Sequence, residues 1–103
     1  MFMDENNNDL KFQCVCCGYF SLEEKGVAEI CIVCFWEDDG ETNLDVISNP
    51  NRITIRKGRD NFSKFGACKY QFINDVLKNP ERKFRKEDFN LTNKKSQQIR
   101  WLS

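Results

Sequence analysis

The sequence predicts a small α+β fold, with a β-hairpin part first and two or three helices packed behind it. Three observations predict it. Cysteines stand in two C-x2-C pairs, Cys14/Cys17 and Cys31/Cys34, separated by residues 18–30. Short strand-like stretches flank both pairs. From Thr54 onward the apolar residues switch to helical spacing. Four thiolates in two close pairs can close a tetrahedron around one structural Zn²⁺ ion, so the hairpin part is expected to be a zinc ribbon. A chain of 103 residues builds only a thin core, and a metal staple is physically useful there.

The elements follow in order. Residues 1–9 are acidic and amide-rich and are expected to be a disordered start. Leu10-Lys11-Phe12-Gln13 alternates, which predicts a strand entering the first knuckle. Gly18 follows Cys17, where the backbone turns in toward the sulfurs and a positive φ is favoured. Residues 19–22 and 27–30 fit two strands of one hairpin, turned by residues 23–26. Asn49-Pro50-Asn51 is a turn. Thr54 is placed to cap a helix over residues 55–65, with Gly66 as its stop. Ile55, Phe62 and Phe65 fall near one face of it, and Gly58 inside it marks close packing. Phe72, Ile73, Val76 and Leu77 predict a second helix over residues 69–78, ended by Asn79-Pro80. The cysteine-rich domain then covers residues 10–80. Residues 81–103 read as a basic extension, in which Thr92 can cap a last helix carrying Ile99, Trp101 and Leu102.

The net charge of zero hides an asymmetry. Residues 1–50 hold two basic and eleven acidic side chains, a net of −9; residues 51–103 hold fourteen basic and five acidic, a net of +9. The halves are expected to fold against each other and partly neutralise. A face left free would steer a partner of opposite charge. The start of the chain lacks the basic and apolar pattern of a secretory signal, and no apolar run is long enough to span a bilayer. A cytoplasmic protein in a reducing compartment, with no membrane contact, is the expectation. There, six cysteines serve as ligands and buried thiols rather than as three disulfides.

Cys14, Cys17, Cys31 and Cys34 are the expected metal ligands. Cys16 pairs with no other cysteine at that spacing and reads as an extra thiol beside the site; Cys68 reads as a small buried hydrophobe. Phe35 and Trp36 follow the second pair and are placed to shield the metal. The acidic run Glu37, Asp38, Asp39 and Glu41 fails the calcium-loop pattern, because Gly40 in the sixth place puts Phe35 first and Val46 twelfth. Such a run ordinarily makes a solvated turn; the alternative is that, with Trp36, it forms the candidate partner-binding patch. Catalysis lacks support: the sequence contains no histidine, and a tetrathiolate site has no open coordination position.

These residues also carry a resemblance. Cys14-Val15-Cys16-Cys17-Gly18-Tyr19-Phe20, then Glu29 through Gly40, then Arg59-Asp60-Asn61-Phe62 and Phe65-Gly66-Ala67-Cys68 are similar to the bacterial cysteine-rich CPCC family over about residues 12–70. Proline, which the family places after the first cysteine of each knuckle, is replaced here by Val15 and Ile32. Proline only pre-sets the turn, so metal binding is expected to survive. The resemblance implies a small cytosolic zinc-ribbon-like protein. Proteins of this sort also resemble some immunity proteins of bacterial toxin systems.

Three functions follow as expectations. The first is a non-enzymatic protein-interaction module, in its sharpest form an immunity protein whose acidic face blocks a cationic toxin domain. The second is nucleic-acid binding through Arg52, Arg56, Lys57, Arg59 and Lys64. The third is a rubredoxin-like iron electron carrier, since Cys17-Gly18-Tyr19 resembles that knuckle; rubredoxins, however, separate their cysteine pairs much further.

Overall fold

The computed structural model describes residues 11–89. The start expected over residues 1–9, the first residue of the strand expected from Leu10 and the helix expected from Thr92 lie outside them. Within them the fold is α+β, with two antiparallel two-stranded hairpins and one α-helix.

The strands pair differently from the expectation. β1 (Phe12–Gln13) pairs with β2 (Phe20–Leu22), and β3 (Glu29–Ile30) pairs with β4 (Glu37–Asp38). The single hairpin expected between residues 19–22 and 27–30 does not form. Each knuckle is instead the turn of its own hairpin, because a C-x2-C knuckle reverses the chain by itself. The Gly18 N–H donates to the Cys14 carbonyl at 2.9 Å, and the Cys14 N–H donates to the Tyr19 carbonyl at 2.9 Å. The second knuckle repeats this: Phe35 N–H to the Cys31 carbonyl at 2.8 Å, Cys31 N–H to the Trp36 carbonyl at 2.9 Å. The loop between the hairpins closes on the Glu29 carboxylate, which accepts from the Glu23 and Glu24 amides.

Both knuckles close on a left-handed residue, Gly18 at φ 85° and Phe35 at φ 74°. Gly18 is needed twice over, since a Cβ there would lie 3.1 Å from the Glu87 carbonyl oxygen. Phe35 bears the conformation without that freedom, at a cost of about 1–2 kcal/mol. Its ring stacks on Phe72 with centroids 4.4 Å apart, an aromatic contact of about the same size.

Helix α1 (Ile55–Phe65) forms as the sequence predicts. The Thr54 hydroxyl accepts from the Lys57 N–H at 3.0 Å, and Gly66 ends the helix at φ 84°. Ile55 is fully buried beside Leu22, Val33, Trp36, Phe84 and the cysteines, which together form the core. Burying Leu22 and Ile55 contributes about 2 kcal/mol each. Gly58 faces inward: a Cβ on it would stand 3.0 Å from the Trp36 ring and 3.1 Å from Cys16 Sγ. The helix is therefore pressed directly onto the second knuckle's tryptophan and the first knuckle's odd thiol.

The second helix does not form. Residues 69–78 hold only a 3₁₀ turn, Tyr70–Phe72, whose N-cap Lys69 gives it no side-chain cap. An isolated helix of about ten residues is marginal in water. Here the flanking backbone bonds elsewhere: the Cys68 N–H donates to the Cys34 carbonyl and the Leu77 N–H to the Ile32 carbonyl, both at 2.8 Å. The segment is thus stitched along the second knuckle rather than coiled. Residues 81–89, expected to begin a separate extension, fold onto the first knuckle. Phe84 is buried, the Phe20 N–H donates to the Arg85 carbonyl at 2.8 Å, and Tyr19 bridges to Lys86. Among the described residues, one α-helix stands where two or three were expected, and no helix is long and apolar enough to cross a membrane.

Gly58→Ala tests the helix contact. Alanine ordinarily favours a helix interior over glycine by about 1 kcal/mol. Against this, forcing a methyl into a closed core costs about 1–3 kcal/mol. The ring it meets is fully buried, so the second effect wins, and Gly58→Ala should lower the thermal midpoint. A raised midpoint would show that the helix does not press on Trp36.

Candidate metal centre

The two knuckles present four sulfurs to one point. Sγ of Cys14, Cys17, Cys31 and Cys34 all lie within 4.8 Å of one another, and all four residues are buried. Cys14 and Cys34 approach to 3.6 Å and Cys17 and Cys31 to 3.7 Å, so the close contacts cross from one knuckle to the other. A tetrahedral ion with metal–sulfur bonds of about 2.3 Å holds its sulfurs about 3.8 Å apart. A disulfide would need about 2.05 Å. The spacing fits four ligands of one ion and excludes bonded pairs. These four cysteines, the ones read from the sequence, can therefore hold a metal ion.

Neighbouring groups tune the sulfurs. The Ser21 hydroxyl lies 3.0 Å from Cys31 Sγ, and the Val33 N–H donates to the same sulfur at 3.3 Å. Hydrogen bonds to Cys14, Cys17 and Cys34, with Ser21 adding to them, hold the Cys31 thiol far below the ordinary thiol range. Burial, helped by the neighbouring thiols, pushes Cys17 and Cys34 well above it. Without a cation, the pocket favours anionic sulfur at Cys31 and protonated sulfur at Cys17 and Cys34. Loading a metal must strip those protons, so binding releases acid.

Cys16 is buried beside the quartet but outside it, with its sulfur under Gly58. Cys68 is also buried, its thiol pushed up to about 12 chiefly by desolvation and next by Cys16. Neither belongs to the quartet, as expected. Two neighbours escaped the sequence reading. Ser21 carries no spacing signal. Arg59 was read as a phosphate contact on the helix surface. It donates from Nε to the Val15 carbonyl at 2.8 Å, beside Cys14 and Cys16. Burial lowers its pKa, and those two sulfurs push the other way. Four thiolates on a divalent ion carry a net charge of about −2. Arg59 is placed to offset it, which is one local form of the neutralisation expected between the two halves.

The acidic run does not form one outward patch. Trp36 is fully buried in the core and Asp38 is only 1% exposed. In β4 successive side chains point to opposite faces, which sends Asp38 inward while Glu37 points out. The Asp38 carboxylate accepts from the Gly26 N–H at 2.7 Å, fastening the loop between the hairpins. Its other oxygen has no partner among the described residues. Asp39 accepts from the Ser48 hydroxyl at 3.0 Å and the Glu41 N–H at 3.1 Å. Glu37, Asp39 and Glu41 keep partial access to solvent. Of the helix cations, Arg56 pairs with Asp45 and Lys64 with Asp60.

Comparison with known proteins places this arrangement. The family model for cysteine-rich CPCC proteins matches residues 12–83, and the chain belongs to that family. The match reaches past residue 70, over the segment stitched to the second knuckle. No curated protein and no solved structure matches the chain.

Substitutions separate ligands from neighbours. Cys17→Ser or Cys34→Ser should lose the metal, whereas Cys16→Ser and Cys68→Ser should retain it; metal analysis of purified protein checks this. Ser21→Ala should weaken metal affinity by about 10–100-fold without changing stoichiometry. The buried Cys68 thiol gives a pH signature. Its folded pKa is raised, so its contribution to stability is complete below the unfolded value of about 8.5 and is lost as pH rises toward 12. Between pH 7 and pH ~10.5, wild type should lose more unfolding free energy than Cys68→Ala. Equal losses would show that Cys68 is not buried in the fold.

Proposed function

We propose that this CPCC-family chain is a non-enzymatic, cytoplasmic, zinc-stapled binding module whose partner is a protein. Zinc suits a closed site of four buried thiolates, and such a site serves structure, having no position open to substrate. One observation carries the interaction half. The second knuckle leaves Ile30 44% and Ile32 47% exposed, and the 3₁₀ turn leaves Tyr70 68% exposed. Of these, Ile30 lines a shallow groove together with the packed Phe35 and Phe72 rings, Glu37 and Lys69. An apolar centre with a polar edge is the anatomy of a protein interface rather than of a phosphate backbone site.

The sharpest form of this reading is immunity against a cationic toxin domain. Glu37 supplies an acidic group at the groove, Asp39 and Glu41 follow it along the chain with partial access to solvent, and complementary charge speeds encounter. Asp38 and Trp36 support this surface from within rather than touching the partner.

The test is titration of the zinc-loaded protein with the partner that the immobilised chain captures from its native cell, a cationic toxin domain being the expected one. A one-to-one complex is expected, with association slowed by added salt. Ile30→Asp should weaken it by about tenfold or more, as loss of a centrally buried side chain does. Glu37→Lys with Glu41→Lys should slow association, leaving metal content unchanged. Unchanged affinity in both variants would remove this face as the interface.

A further inference from the structure

A second concavity lies at the other knuckle. A cleft of about 460 Å³ opens among the first knuckle, α1 and the segment ending at Phe89. Arg59, Phe62, Ser63, Lys86, Asp88 and Phe89 line it, and Cys16 and Cys17 are among its walls. Its volume falls within the range of small-ligand sites.

The cleft combines two kinds of group. The Lys86 ammonium sits over the Tyr19 ring at 5.3 Å and over Phe62 at 5.9 Å, and it makes no hydrogen bond or ion pair among the described residues. The Arg59 guanidinium lies 3.6 Å from the centroid of Phe89 and spends only Nε, on the Val15 carbonyl. One ammonium with all its donors available and a guanidinium with its outer nitrogens available therefore share a cavity with two phenyl rings. Arg59 already offsets the thiolate centre and Asp88 puts one carboxylate on the lining, which leaves Lys86 as the main cation for an incoming anion.

We propose that this cleft binds a nucleotide unit, free or within a single strand, with its phosphate on Lys86 and its base against Phe62, Phe89 and the Arg59 plane. Bases stack on aromatic rings and on guanidinium planes alike. Inorganic phosphate or an acidic peptide would engage the cation and leave the rings idle. A neutral apolar ligand would leave the cation idle. Only a planar ring bearing an anion uses both halves. The site is separate from the second-knuckle face and does not depend on it.

The test uses the full zinc-loaded chain and calorimetric titration with adenosine monophosphate, inorganic phosphate, a short oligoadenylate and polyglutamate. Adenosine monophosphate should bind at least about tenfold tighter than phosphate, the worth of one stacked base. Lys86→Gln, with metal content unchanged, should weaken it about tenfold, the effect of losing one charged hydrogen-bond partner. Phe62→Leu should weaken the nucleotide and leave phosphate unaffected. Equal affinity for the mononucleotide and the oligomer would identify a free nucleotide as the ligand. Tighter, salt-sensitive binding of the oligomer would identify a strand. Absence of nucleotide and oligomer binding up to about 10 mM would overturn the proposal, since nothing specific binds so weakly. Unchanged binding by Lys86→Gln, or polyglutamate binding as tightly as the nucleotide, would overturn it too.

Discussion

The convergence of four buried sulfurs from two separate knuckles is the constraint on which the rest of the fold depends. Among the described residues no strand exceeds three residues, and a two-stranded hairpin alone is marginal in water. Neither hairpin pairs with the other. At the centre they are joined by the cross-knuckle contacts of Cys14 with Cys34 and Cys17 with Cys31, beside the Ser21–Cys31 contact. Without an ion, these are buried polar thiols crowded together. With one, they are four bonds that tie residue 14 to residue 34.

The remaining structure is arranged to support that point. Helix α1 lays Gly58 against Trp36 and Cys16 so that its axis can come close, and it swings Arg59 toward the sulfurs. The chain after the helix gives its Cys68 and Leu77 amides to the second knuckle, and residues 84–89 cover the first. Each knuckle is thus backed by a segment from the basic half of the sequence. One ion pair among those described joins the two oppositely charged halves, Arg56 with Asp45.

Much of this was legible in the residues. The ligand quartet followed from spacing alone, because a tetrahedral ion admits few arrangements of paired thiols. The Thr54 cap and the Gly66 stop followed from local chemistry, and Gly58 inside the helix marked a close approach without saying that Trp36 and Cys16 make it. Strand pairing was not legible: two or three alternating residues carry no signal of which partner they face. The second helix was misread because Phe72, Ile73, Val76 and Leu77 have helical spacing, while the backbone bonds that unwind it come from residues 32 and 34. Asp38 looked like a surface carboxylate in an acidic run. Its role in fastening Gly26 depends on a hairpin pairing that the sequence did not reveal.

A member of the CPCC family thus presents two knuckles with different outer faces, one apolar with an acidic edge, the other cationic and aromatic. Both faces rely on the centre between them. The most direct measurement is a chelator titration of the purified protein, with metal analysis and near-ultraviolet dichroism of the buried Trp36 followed together. One zinc ion per chain is expected, and the folded signal should fall in step with its removal and return when zinc is restored. A chain that keeps its folded signal and thermal midpoint after the metal is gone would contradict the view that the sulfur centre holds the domain together.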